Sequence, residues 1–295
     1  MIANNGSYPP DGYISPDTAV TASGGRSWAR YAAYYTGATL YNYAVSGAVC
    51  SNEITPRHTD WLHGNFPSVR EYEVPQFTKD LKAGDVQVDW KNTVSALWIG
   101  TNDLGGDLLL GHSQVPGKTM VDYTRCVWEQ LETLYKMGAR KFVLINVASL
   151  ELSPLYIAGG VPGPNRFWTL KGDNTTDISS RMIENIAAVN EIFSLRAETH
   201  KMKGAKVAIL NANGLFRDIW HHPENYLNGT EPLNVKSWTN HCDINFENCW
   251  QEQPENRDAY MWFDELHPSE QVGRVIAKEF TKVVEGKKSA WATWY

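Results

Sequence analysis

What most constrains this chain is a repeated switch between helical and strand periods of its apolar residues. Asp122 to Met137 places Val127, Leu131 and Leu134 on one helical face, stops at Gly138, and passes into the apolar strand Phe142 to Val147. Ser180 to Ala197 repeats the pattern with Met182, Ile186, Val189 and Phe193, followed by Gly204 and the strand Lys206 to Leu210. A last helix after Pro268, with Ser269 as its N-cap, presents Val272, Val275, Ile276, Phe280 and Val283. Nearer the N-terminus a helix is expected from Trp28 to Tyr35, ended by Gly37, with strands at Thr39 to Val45 and Thr93 to Ile99. Alternation of this kind predicts an α/β domain with a mainly parallel sheet, and 295 residues suit one large domain over 1–295. Ser51 to Lys91 and Asn211 to Asp264 break the pattern and read as long loops. Both follow strand ends, where open α/β sheets bind ligands.

Composition narrows the partners. With 27 Lys and Arg against 33 Asp and Glu, the net charge is -6, and no basic face offers itself to nucleic acid. No apolar run approaches the length of a membrane span. Aromatic residues make up 12% of the chain, too many for a chain that never packs. Four cysteines (Cys50, Cys126, Cys242, Cys249) and three N-glycosylation patterns, at Asn5, Asn174 and Asn228, point to secretion. Met1 to Gly6 lacks the charged start and apolar stretch of a signal peptide, so a removed signal or an incomplete N-terminus is expected. Cys242 and Cys249 lie close together in one irregular loop and are expected to form a disulfide. Four cysteines allow three pairings, and Cys50 with Cys126 is the expected second pair, although nothing local brings them together.

Three short motifs stand at strand ends and before the last helix: Asn42 to Ala48, Gly100-Thr101-Asn102-Asp103, and Asp264-Glu265-Leu266-His267-Pro268. Taken singly, each has a plainer reading: Gly47 as a tight turn, Asn102-Asp103 as a helix cap, Asp264 with His267 as a surface pair. Taken together they offer acid–base chemistry. His267 suits a general base near neutral pH, and Asp264, three residues earlier, is placed to accept a hydrogen bond from its other ring nitrogen. His221-His222 is set aside as a metal site, since adjacent histidines diverge and no further ligand spacing completes one.

In order and spacing the three motifs resemble the second, third and fifth sequence blocks of the SGNH (GDSL-type) hydrolases, over nearly the whole chain. Asn42 to Cys50 followed by Ser51 to Arg57 looks most like fungal acetylesterases that deacetylate plant-cell-wall oligosaccharides. The resemblance implies a three-layer α/β/α, flavodoxin-like fold and assigns the oxyanion hole to the Gly47 backbone N–H and the Asn102 side-chain amide. It implies no cofactor and no metal, a monomer, and an acetylated oligosaccharide or other small ester as substrate.

The family's first block, Gly-Asp-Ser, has no counterpart here. The chain is therefore expected to begin just after the nucleophile, with the first strand absent and the strands near Val45 and Ile99 left with unpaired backbone groups. Ser46 lacks the first glycine of Gly-x-Ser-x-Gly and is a poor substitute, and Ser27 and Ser51 have no better warrant. An esterase inactive as printed is the expectation. A non-catalytic carbohydrate-binding remnant and a lipase-like esterase acting on acyl lipids stay open beside it.

Overall fold

The computed structural model describes residues 21–59, 63–106, 108–229 and 232–295. The Asn5 glycosylation pattern and Thr230 of the Asn228 pattern lie outside the described residues. Ser27 accepts the Arg30 N–H to start α1 (Trp28–Thr36), and Gly37, at φ 67°, ends it. A short antiparallel pair, β1 (His58–Thr59) and β2 (Gly64–Asn65), leads through a π-helical turn at Val69–Glu73 into α2 (Val74–Ala83). Ser51 to Lys91 is thus not one long loop. Pro75 occupies the first turn of α2, where a missing N–H costs nothing, and Gly84 closes the helix at φ 85°.

Next come β3 (Ser95–Trp98), α3 (Met120–Lys136), β4 (Lys141–Ile145), α4 (Thr175–Thr199) and β5 (Lys206–Leu210). Asn174 caps α4 by accepting the Asp177 N–H at 3.0 Å, so this helix starts at Thr175 rather than Ser180. The second expected loop, Asn211 to Asp264, is also broken up. Asn211 accepts the Gly214 N–H at 2.9 Å and caps α5 (Ala212–His221), whose Ala212, Leu215, Phe216 and Ile219 form a buried stripe. Four short strands follow: β6 (Asn234–Trp238), β7 (Asn240–Cys242), β8 (Cys249–Gln251) and β9 (Tyr260–Trp262). Helix α6 (Glu270–Val284) is capped by Ser269, and β10 (Ala292–Trp294) ends the chain's regular structure.

The central sheet runs β10-β5-β4-β3, with β3, β4 and β5 parallel and β10 antiparallel at one edge. Its pleat sorts the core into two layers. Phe142, Leu144, Val207 and Ile209 face α3 and α4, while Val143, Ile145, Ala208 and Leu210 face α5, α6 and Trp28 of α1. The result is a three-layer α/β/α architecture around a mixed, mostly parallel sheet.

The expected strand from Thr39 to Val45 is not formed. Its polar groups go to side chains instead of a ladder: the Val45 N–H to Glu73 Oε1 at 2.8 Å, the Ala44 N–H to Asn42 Oδ1 at 3.2 Å, and the Tyr43 hydroxyl to Asp80 Oδ2 at 2.6 Å. A strand exists only through its pairing. Among the described residues, β3 likewise pairs on one side alone, with β4, and it is less buried than β4 or β5.

Candidate active site

The turn after β9 is wrapped around one carboxylate. Asp264 is buried, and its Oδ1 accepts the backbone N–H groups of Leu266 at 2.9 Å and His267 at 2.7 Å. Phe263 N–H to His267 O and Ser269 N–H to Met261 O close the turn and set the start of α6. With its backbone fixed, His267 brings Nδ1 to 3.0 Å from Asp264 Oδ1 and 2.9 Å from Oδ2. An ionised carboxylate only accepts, so Nδ1 carries the proton and Nε2 offers its lone pair. Among the described residues Nε2 has no hydrogen-bond partner, and the ring is partly exposed.

The oxyanion candidates meet on the other side. Gly47 has φ 90°, and a Cβ there would lie 2.7 Å from Arg57 Nη1 and 2.8 Å from the Phe66 ring. Arg57 donates Nη1–H to Gly47 O at 2.8 Å while lying over Phe66, so the carbonyl is held from behind. The Gly47 N–H has no partner among the described residues. Asn102 follows β3 and donates Nδ2–H to Ala48 O at 2.8 Å, which draws the two predicted donors together.

Behind them sits Asp103, fully buried, accepting from the Cys50 N–H and from Thr55 Oγ1 at 2.7 Å. Burial pushes its carboxyl up to about 7, against hydrogen bonds from Thr55 and Cys50 that favour the ionised form. Cys50 is also joined to Cys126 of α3 by a disulfide. Gly100 has φ 131° and lies so close to the Tyr123 hydroxyl that a Cβ would stand 2.2 Å from it.

Residues 165–168 bridge the two halves. Trp168 packs against Gly106, just past Asn102, and the Gly106 N–H donates to the Tyr156 hydroxyl oxygen at 3.2 Å. Phe167 meets the His267 ring edge-on, with centroids 5.4 Å apart. Arg166 is buried, bonds to Glu265, and lies over Phe167 and Phe246. Phe246 tops the hairpin of β7 and β8, which the Cys242–Cys249 disulfide closes. Ile244, Phe246 and Trp250 on this hairpin are exposed, and Trp250 stacks flat on His241 at 4.0 Å.

Arg166, Phe167, Glu265 and Asp103 carry no spacing signal in the sequence. Only the neighbouring motif residues point toward Glu265 and Asp103. Of the three serines weighed as substitutes, Ser27 caps α1, Ser46 lies exposed in the turn beside Gly47, and Ser51 is buried, bonding to Glu71 Oε1 at 2.5 Å.

Known proteins give this geometry a context. An acetylesterase of Hypocrea jecorina is 38% identical over 295 residues, covering 97% of this chain and 84% of that protein. An acetylesterase of Thermothelomyces thermophilus is 24% identical over 274 residues, covering 90% and 77% respectively. A GDSL esterase/lipase of Arabidopsis thaliana is 31% identical over 162 residues, covering 51% of this chain and 39% of that protein. Residues 11–280 match the GDSL-like Lipase/Acylhydrolase family, and with its mostly parallel three-layer fold the chain belongs to that family.

Proposed function

We propose that this chain carries the acid–base and oxyanion parts of an acetylesterase site directed at acetylated carbohydrates of the plant cell wall, and that none of its own serines is the nucleophile. The reading rests above all on His267, whose Nδ1 is held by Asp264 while Nε2 stays unpartnered among the described residues. The acetylesterase of Hypocrea jecorina, similar over 97% of the chain, supports ester cleavage as the chemistry.

In such a site Nε2 of His267 takes the proton of an attacking hydroxyl as its oxygen bonds to the ester carbonyl carbon. Asp264 accepts the Nδ1 hydrogen bond and stabilises the imidazolium. The oxyanion is met by the Gly47 N–H and the second N–H of Asn102, the first being held by Ala48 O. Collapse breaks the bond to the sugar oxygen, which takes the proton from His267 and leaves as the hydroxyl, and water, giving its proton to His267, then attacks the acyl group and releases acetate. In this reading the described residues supply the base, its orienting carboxylate and the oxyanion donors.

Two disulfides and an exposed Asn174 within a glycosylation pattern support an extracellular protein. A monomer of one domain is the accompanying reading. Two measurements test the proposal. Acetylated xylo-oligosaccharides should bind more tightly than octanoyl esters in calorimetry, and a fluorophosphonate should label no serine stoichiometrically. Preference for octanoyl esters would favour acyl lipids, and activity-linked labelling of Ser46 or another serine would place the nucleophile within the chain.

A further inference from the structure

Asp264 and Glu265 are consecutive carboxylates, both buried, directly beside the ring that must change charge during ester cleavage. Two like charges out of water at this spacing penalise each other unless a cation intervenes. Arg166 is that cation, with its side chain only 2% exposed. It donates Nε–H at 3.0 Å and Nη2–H at 2.6 Å to the same oxygen of Glu265, and Nη2–H to Asn240 O of the hairpin at 3.1 Å. To Asp264 Oδ2 it comes only within 4.0 Å, outside hydrogen-bond range. The guanidinium thus spends its hydrogen bonds on Glu265 and leaves Asp264 to the imidazole.

The surroundings sharpen this division. Phe167 and Phe246 cover the guanidinium at 4.8 and 5.1 Å, which keeps water from screening it. The other charged or titratable groups facing the cluster are Lys171, which donates to Val161 O rather than to a carboxylate, and His241 with Glu252 on the hairpin side.

We propose that Arg166 is a positioning residue that neutralises Glu265 and clamps the disulfide-closed hairpin to the turn, so that one carboxylate charge, that of Asp264, faces His267. The inference rests on Asp264 and His267 being the acid–base pair. With Glu265 unpaired, a second negative charge would favour the protonated ring and leave less of it neutral to accept a proton.

Carbethoxylation of His267 Nε2 by diethyl pyrocarbonate, followed by peptide mass mapping over a range of pH, reads the neutral ring directly and needs no nucleophilic serine. Arg166→Met should move the midpoint of the pH–rate profile up by about half a unit or more, and Glu265→Gln should move it down. The double variant should return close to the wild-type midpoint, and Arg166→Lys, which keeps the charge, should stay near it. Should Arg166→Met not fold because Glu265 is left buried alone, the downward displacement in Glu265→Gln and its return in the double variant carry the test. Equal midpoints for Glu265→Gln and the double variant would overturn the proposal, as would rate changes that leave every midpoint in place. The acid–base reading fails on a different result: an unchanged profile in Asp264→Asn.

Discussion

Asp103 accepts the backbone N–H of Cys50 with both carboxylate oxygens, at 3.0 and 3.1 Å, and so joins the Gly47 turn to the Asn102 turn from the buried side. Thr55 adds a third hydrogen bond to the same group. Asp103→Asn should therefore destabilise the protein by about 1–3 kcal/mol, because an amide turns a donor toward at least one of these donors. Urea unfolding at pH 7 measures it. A variant as stable as wild type would show that the two turns are held together by other contacts.

Stability should fall as pH rises through the neutral range. Burial pushes Glu73 up to about 8, against the Val45 N–H that favours its ionised form, and burial likewise pushes Asp103 up to about 7. Each binds its proton more tightly folded than unfolded, so between the ordinary carboxylate range and these raised values the folded state holds more protons. The slope of unfolding free energy against pH is then negative. Unfolding midpoints in urea should decline from pH 5 to pH 8, and Glu73→Gln should flatten the decline. A rise across that interval would contradict both assignments.

The two disulfides should contribute unequally. Cys50–Cys126 closes a sequence separation of 76, against 7 for Cys242–Cys249. Chain-entropy arguments give about 4.5 kcal/mol for the longer loop and about 2.4 kcal/mol for the shorter. Replacing Cys50 and Cys126 together by Ala should lower the thermal midpoint further than the corresponding change at Cys242 and Cys249. Calorimetry of the two double variants decides the order.

Gly106→Ala should act at a distance on His267. A Cβ at this position would lie 2.1 Å from the buried Trp168 ring, which has no free end to swing aside. Relief requires residues 165–168 to shift, and overpacking of this kind costs about 1–3 kcal/mol. Because Phe167 packs on the His267 ring, the imidazole resonances in NMR spectra should move as well. Unchanged resonances would show that Trp168 yields alone.

Phe246→Ala tests the hairpin tip without unsettling the fold. The ring is about half exposed, so stability should change by less than about 1 kcal/mol. Binding of acetylated xylo-oligosaccharide should weaken about three- to tenfold if the substrate packs on this exposed ring beside Phe167. Titration calorimetry on wild type and variant gives the ratio.

Much of this was legible beforehand where local rules act alone. The Ser269 cap and the Asp264–His267 turn depend on neighbours a few residues away. Helix α2 was hidden because Pro75 reads as a breaker unless the first turn is already located, and α5 because its short stripe lies between aromatic loop residues. Thr39 to Val45 shows the opposite failure. Its β-like composition is real, yet strand formation depends on a partner that no local pattern supplies, and here Glu73 and Asp80 take its polar groups. Arg166 was beyond reach for a similar reason, since its partners Glu265 and Asn240 lie 99 and 74 residues away along the chain.

The placement of the two disulfides has a chemical consequence. One braces the turn that bears Gly47, through Cys50, and the other closes the hairpin whose ring reaches over Arg166 toward the Asp264 turn. Each half of the site therefore has its own covalent brace, and neither brace passes through the central sheet. Thiol reductants should loosen the site in two separable stages while α4 and the β4–β5 core remain folded. Assembly of a competent site is thus tied to the electron-transfer conditions of its surroundings as much as to temperature or acidity.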